Sequence, residues 1–284
     1  MPEGDTILRA AQALHRVLAG HTVTRFDSVF PALTRVAEDR PIVGRTIEAV
    51  TARGKHLLMS FSGDLILRTH MRMNGSWHLY RPGAKWQRPS RDMRVLVATA
   101  DAVAVGFNVP IAEWLSSREL ERHRQLTALG PDLLAGAGTG HAVDVAEIVR
   151  RMRAHGRDPI AEVLLNQRVL AGIGNVFKSE ILFAALVSPF AIVDSLSDAD
   201  LERIVGIARD QLAANVLDRS RTLATAIGRR TTRSLDPSAN LWVYSRKGRP
   251  CRRCGAVIRS QKTGADARPT YWCPSCQRLS GPVT

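Results

Sequence analysis

Apolar residues first recur at helical spacing. Ile7, Leu8, Ala11, Leu14 and Leu18 fall on one stripe of a 3.6-residue period, and Gly20 follows as a stop. Beyond that helix the pattern changes. Thr46 to Val50, His56 to Phe61, Leu65 to Thr69, Trp77 to Tyr80 and Arg94 to Thr99 are short and rich in β-branched and aromatic residues, with Gly, Pro, Asp or Asn between them. Residues 1–125 are therefore expected to form a β-layer domain with one amphipathic helix at its start. From about residue 126 the three-and-four spacing returns in Val145 to Met152, Ile160 to Leu165, Val176 to Leu186 and Leu201 to Leu212, which predicts a helical domain over 126–235. Ser197 with Asp200 resembles a capping arrangement for the last of these helices, and Pro159 suits an early helical position. Between two of the helices AGIGN forms a glycine-containing connection of the kind that presents backbone N–H groups to phosphate. The stretch from Gly228 to Asn240 lacks apolar periodicity and reads as a linker or mobile loop.

Charge sharpens the picture. Forty Lys and Arg stand against 26 Asp and Glu, a formal charge of +14 that points to a polyanionic partner, nucleic acid ahead of an anionic membrane surface. No run of apolar residues is long enough to span a bilayer, and the opening MPEGDT has acids where a secretory signal would carry positive charge. A soluble, cytoplasmic protein is the expectation.

All four cysteines lie near the end of the chain as two C-x2-C pairs, Cys251 with Cys254 and Cys273 with Cys276. That spacing suits four thiolates around one structural Zn2+, with disulfides or a redox pair as the alternatives. A zinc ribbon over 240–284 is too short to bury a core, so its folding would depend on the metal.

The chain start offers different chemistry. Removal of Met1 ahead of Pro2 leaves a secondary α-amine, which titrates near pH 8 and so keeps a neutral fraction at physiological pH. Such an amine can attack an electrophilic carbon and form an iminium, and Glu3 follows directly as a candidate general acid or base.

The motifs MPEG at the terminus, RGKHLL at 53–58, LLNQRVLAGIGNVFKSEILF at 164–183, and VYSRKGRPCRRCG with RPTYWCPSC near the end resemble, in that order, the formamidopyrimidine-DNA glycosylase and endonuclease VIII family. The resemblance implies a multi-domain α+β fold: an N-terminal β-sandwich with a leading helix, a helix-two-turn-helix domain and a C-terminal zinc finger, with DNA held between. It implies a monomeric bacterial repair enzyme acting on damaged double-stranded DNA in the nucleoid. It assigns Pro2 as nucleophile at C1′ and Glu3 as the acid that assists ring opening. Lys55 is implied as a phosphate contact supporting catalysis, and Asn175 and Arg268 as phosphate clamps. Arg268 is counted with Pro2, Glu3 and Lys55 in the catalytic set. HMRMNG at 70–75 falls on the gap-filling loop, where Met73 would wedge into the stack and Arg72 would meet the orphaned base, if Met73 is not simply a core-strand residue.

Departures bear on substrate. VGFNVPIAEWL at 105–115 lacks the Arg-Phe pair that the formamidopyrimidine branch inserts into DNA, which favours the endonuclease VIII branch and oxidised pyrimidines over oxidised purines. Asp5-Thr6 replaces Pro-Glu, Asn166 replaces an aspartate, and Ala128 stands where some endonuclease VIII enzymes have a DNA-contacting arginine. A catalytically silent DNA-binding relative and a zinc-ribbon transcription or translation factor are the competing readings.

Overall fold

The computed structural model describes residues 2–135, 143–217, 228–232, 234 and 236–278. Two compact units emerge: one is built from residues up to 128, the other from 129 to 217 together with 228 to 278.

In the first unit, helix α1 (Gly4–Leu18) buries Ile7, Ala10, Ala11, Leu14 and Leu18, one stripe that removes the apolar face from water. The chain then turns through Gly20, whose φ of +82° suits a residue without a Cβ. Strands β1 (Arg25–Ser28), β2 (Ile47–Arg53), β3 (His56–Phe61), β4 (Leu65–His70), β5 (Ser76–Tyr80), β6 (Met93–Ala98), β7 (Val103–Phe107) and β8 (Ile111–Leu115) form two four-stranded antiparallel sheets. Their orders are β2-β3-β4-β8 and β1-β6-β7-β5. Leu57, Met59, Phe61, Leu65, Leu67, Trp77, Val95, Val97 and Ala104 alternate inward from the two sheets to a single core with α1. Strands β6 and β7 are covered on their other face too, where Leu96, Ala98, Val105 and Phe107 pack with Tyr80 and Trp86, so they read as continuous apolar runs. The expected β-sandwich behind a leading helix is present.

One expectation is corrected: α1 is not the only helix among the strands of this unit, since a second lies between β1 and β2. Pro31–Asp39 forms α2, with Pro31 at its first position and no side-chain cap. Only Leu33 is fully buried on it, so it shows no stripe long enough to register as helical. Two short helices, α3 (Ser117–Arg122) and α4 (Arg124–Thr127), end the unit.

The second unit contains α5 (Val145–Arg153), α6 (Ile160–Val163), α7 (Asn175–Ala185) and α8 (Asp198–Leu217). The Ser197 arrangement is a reciprocal cap: Asp200 N donates to Ser197 Oγ at 3.2 Å, and Ser197 N donates to Asp200 Oδ2 at 3.3 Å. Pro159 sits one residue ahead of α6, at its N-cap, where ψ is 136° and the residue forms an isolated antiparallel bridge with Ile192. A hairpin of β9 (Arg259–Thr263) and β10 (Arg268–Trp272) completes the unit.

The stretch from 228 to 240 is more than a loose linker in its described part. Thr231 N and Thr232 N both donate to Asn240 O, Asn215 of α8 exchanges two hydrogen bonds with Arg230, and the guanidinium of Arg229 lies 5.3 Å from the Phe177 ring centroid. Polar groups do the fastening, which apolar periodicity cannot reveal.

Candidate active site and DNA-binding elements

Pro2 and Glu3 lie immediately ahead of α1, and both are buried. Glu3 is the N-cap in extended backbone, its carbonyl accepting from Thr6 N at 2.9 Å and Ile7 N at 3.1 Å. Asp5, one of the departures, is also fully buried in the first turn, so the chain start carries two enclosed carboxyl groups.

Lys55 stands on the two-residue turn between β2 and β3, half-buried, with Arg53 and His56 paired across the turn and Gly54 supplying a φ of +58°. Register then brings a second element to the same end of the sheet: His56 pairs with His70, the last residue of β4. The loop that follows is anchored at both ends. Arg72 N donates to His70 Nδ1 at 3.1 Å and Gly75 N donates to Met71 O at 2.9 Å. A Cβ at Gly75 would meet Met71 O at 2.6 Å, so the loop closes only around glycine. Met71 is the residue that enters the core; Met73 is 63% exposed, against its reading as a core-strand residue, and Arg72 is exposed at φ +45°.

Behind this loop lies a polar cluster that sequence reasoning missed. Arg68, 2% exposed, reaches His56 Nδ1 at 3.0 Å, Gln125 Oε1 at 2.5 Å and Glu113 at short range, and Glu113 also meets His123 Nε2 at 3.0 Å. Burial, then the charges of Arg68, Lys55 and Arg72, push His70 down to about 4. Burial and the adjacent Arg68 lower His56 to about 2. Both imidazoles are therefore neutral near pH 7. With Nδ1 accepting the Arg72 amide, His70 carries its proton on Nε2.

In the second unit, Gln167 shapes the connection between α6 and α7, donating from Nε2 to Leu165 O and Ile173 O and accepting from Gly172 N. Asn166 caps a local turn, accepting from Arg168 N at 3.1 Å. This connection delivers Asn175 to the first position of α7, where Nδ2 donates to Pro269 O at 2.8 Å. The structure thereby brings Asn175 to the hairpin that carries Arg268. Arg268 is directly opposite Thr263, half-exposed, and paired with the exposed Asp266 at 2.8 Å. Such an exposed pair holds weakly, and a phosphate can displace it.

Sequence reasoning also missed Glu180 and Lys178. Fully buried Glu180 accepts from Trp242 N, Val243 N and Tyr244 N at 2.8 to 2.9 Å and from the Thr231 hydroxyl. It binds the segment entering the cysteine-rich region to α7.

The four cysteine Sγ atoms lie within 4.8 Å of one another. Cys254 Sγ and Cys273 Sγ are 3.4 Å apart, near the roughly 3.8 Å edge of a tetrahedron with 2.3 Å zinc–sulfur bonds and far from a disulfide. Arg253 N and Cys276 N point at Cys251 Sγ and Cys273 Sγ, at 3.4 and 3.5 Å, and so are placed to support thiolates. The donor set fits one Zn2+ in a closed, structural shell, as expected from the spacing.

Comparison with known proteins agrees along the chain. Residues 1–110 match the formamidopyrimidine-DNA glycosylase N-terminal domain, 129–226 the formamidopyrimidine-DNA glycosylase H2TH domain, and 248–279 the zinc finger found in FPG and IleRS. A probable endonuclease 8 2 of Streptomyces coelicolor is 41% identical over 286 residues, covering 100% of this chain and 95% of that protein. The DNA-(apurinic or apyrimidinic site) lyase Nei2 of Mycolicibacterium smegmatis is 38% identical, covering 99% of this chain and 100% of the relative. Among solved structures, Lactococcus lactis formamidopyrimidine DNA glycosylase, non-covalently bound to DNA containing an AP site, superposes with a TM-score of 0.79. At 21% identity over 98% of this chain and 100% of that one, this likeness is one of fold. Three family domains in order and full-length relatives above 30% identity establish that the chain belongs to the formamidopyrimidine-DNA glycosylase and endonuclease VIII family.

Proposed function

We propose that this family member is a DNA glycosylase with AP-lyase activity in base excision repair, acting on damaged double-stranded DNA through the amine of Pro2 after removal of Met1. The observation that carries the reading is the enclosed start of α1, where Pro2 and Glu3 are buried together. The positive end of the helix dipole faces the chain start and favours the neutral form of an amine there.

The target nucleotide leaves the stack, and the Pro2 nitrogen attacks its C1′. The bond from C1′ to the base breaks with its electron pair going to the base, which takes up the proton released from the proline nitrogen, and a proton from Glu3 goes to the ring oxygen as the sugar opens. An iminium joins Pro2 to C1′ and serves as the electron sink. Loss of a C2′ proton then expels the 3′ phosphate, and loss of a C4′ proton expels the 5′ phosphate, leaving a one-nucleotide gap. Lys55, Asn175 and Arg268 hold phosphates; Met73, exposed on its anchored loop, fills the vacated space while Arg72 meets the orphaned base.

Oxidised pyrimidines are the substrates this reading favours. The connection from β7 to β8 is three residues long, Asn108 to Pro110, with Asn108 N bonded to Asp92 O at 2.8 Å, so nothing there projects as an inserting loop. The enzyme acts as a monomer in a reducing bacterial cytoplasm. Among the described residues no helix is long and apolar enough to cross a membrane.

Borohydride reduction on an AP-site duplex tests the chemistry. The processed chain, its terminus verified by intact mass, is expected to give a covalent adduct, and an uncleavable extension ahead of Pro2 should cut trapping by about a thousandfold or more. Full trapping with the extension in place refutes the assignment. Thymine glycol duplexes should be cleaved faster than 8-oxoguanine duplexes; the reverse order moves the substrate to oxidised purines.

A further inference from the structure

Three consecutive residues of β10 are tied to α7. Asn175 Nδ2 donates to Pro269 O at 2.8 Å, Lys178 Nζ to Thr270 Oγ1 at 2.6 Å, and Tyr271 N to Ser179 Oγ at 3.4 Å. Residues 175, 178 and 179 share one helix face, since three or four residues complete about one turn. Lys178 is the unusual member, a long cation with no exposed surface. Enclosing an ammonium costs more than enclosing an apolar side chain of the same length, so its presence is better explained by what it holds than by bulk stability.

What it holds leads toward Arg268. An ammonium only donates, so Thr270 Oγ1 accepts from Lys178, and the Thr270 hydroxyl proton is left for Thr263 Oγ1, 2.7 Å away. Thr263 is the residue paired with Arg268 across the hairpin. The chain of bonds thus has a direction, from α7 through β10 into β9, and it ends at the residue opposite Arg268.

We propose that Lys178 is a positioning residue of the DNA-binding site. Through Thr270 and Thr263 it locks the strand pair bearing Arg268 in register with Asn175, so that two phosphate-gripping groups keep a fixed separation before DNA arrives. The proposal rests on the reading of Asn175 and Arg268 as phosphate contacts. Preorganisation of this kind strengthens binding by removing the cost of ordering the hairpin in the complex. It leaves the chemistry at Pro2 untouched once DNA is saturating.

A double-mutant cycle tests it, with a duplex carrying a tetrahydrofuran abasic analogue as the binding probe and an AP-site duplex for the cleavage rate. Lys178→Met in the full-length, zinc-loaded protein is expected to raise Kd about tenfold while the cleavage rate at saturating DNA changes less than about twofold. In an Arg268→Ala background the same substitution should cost less than about twofold, because the group it positions has gone. Lys178→Arg should restore much of the affinity. Equal losses with and without Arg268, or unchanged affinity in a folded Lys178→Met protein, overturn the proposal. Should Lys178→Met fail to fold, Thr263→Val removes the last link without touching α7 and is read by the same cycle. If Arg268→Ala alone leaves Kd unchanged, the phosphate-contact reading fails and takes this proposal with it, whereas Pro2 trapping reports separately on the chemistry.

Discussion

The two units stabilise their functional residues by different means. In the first, a sandwich core of aliphatic and aromatic residues supports the start of α1, and the buried cation behind the loop at Arg72, Arg68, is answered by Glu113 and Gln125 beside histidines kept neutral by burial and by that charge. In the second, the apolar cluster near the cysteines is small, built on Phe183, Val243, Ile258 and two of the sulfurs. Charged groups do more of the work there: Glu180 binds three successive amides, Lys178 binds the hairpin, and four cysteines are clustered to hold a metal. A site that must move a proton benefits from a dry apolar frame, and a site that must grip phosphate tolerates a frame made of charges. The two frames should therefore fail under different stresses.

Metal removal should separate them most sharply. A structural zinc site contributes on the order of 10 kcal/mol to the fold it closes, far more than the small cluster around Val243 can replace. Chelation, or Cys273→Ser, is expected to weaken duplex binding at least about a hundredfold while the thermal transition of the first unit stays in place. Anisotropy with a labelled duplex and circular dichroism on the same sample check both halves. Binding that survives verified zinc loss would show that the hairpin is held by α7 alone.

Acid should act on the other frame. His56, His70 and His78 all have folded-state values below the ordinary 6.5, at about 2, 4 and 4, with burial the first cause in each case. The unfolded chain therefore takes up protons that the folded chain refuses. Stability is fully present above pH 6.5 and is lost as pH falls from there toward 4, with His56 continuing to contribute below that. By pH 5 the loss is about 1 to 2 kcal/mol per histidine at most. Among the described residues the second unit has one histidine, His155, partly exposed beside Asp158. Urea titrations at pH 7 and pH 5, resolved by fluorescence of variants keeping Trp77 or Trp242, should show the first unit weakened more than the second. Equal shifts in both would remove the contrast.

How far this contrast could be read from the sequence depends on the distance between partners. Helix α1, the inward-alternating strands and the four cysteines declare themselves because period and ligand spacing are local. Helix α2 does not, with a single fully buried residue to mark it. The polar clusters are the least legible. Lys178 lies 92 residues from Thr270, Glu180 lies 62 to 64 from the amides it accepts, and Arg68 lies 45 and 57 from Glu113 and Gln125. In the string NVFKSEILF the lysine and glutamate look like the solvated positions of an ordinary helix, and only the strand and loop that later cover them turn them into buried fasteners. The chemistry proposed for Pro2 and Glu3 comes from motif resemblance and the reactivity of a terminal amine, whereas their enclosure depends on tertiary packing that no short run of residues encodes.

The smallest expected effect comes from Met73, and it isolates the loop from its frame. Its side chain is 63% exposed while Met71 fills the core position next to it, so truncation removes almost no buried area. Met73→Ala should leave the melting transition unchanged and lower kcat/KM on a lesion duplex by about threefold to tenfold, the loss of one apolar contact that forms only when the target nucleotide is extruded. Cleavage of a preformed AP site in single-stranded DNA, which needs no extrusion from a paired stack, should be less affected. An equal loss on both substrates would mean that Met73 holds the loop in shape and does not fill the gap, and the anchoring by Met71, His70 and Gly75 would then be insufficient to define the loop on its own.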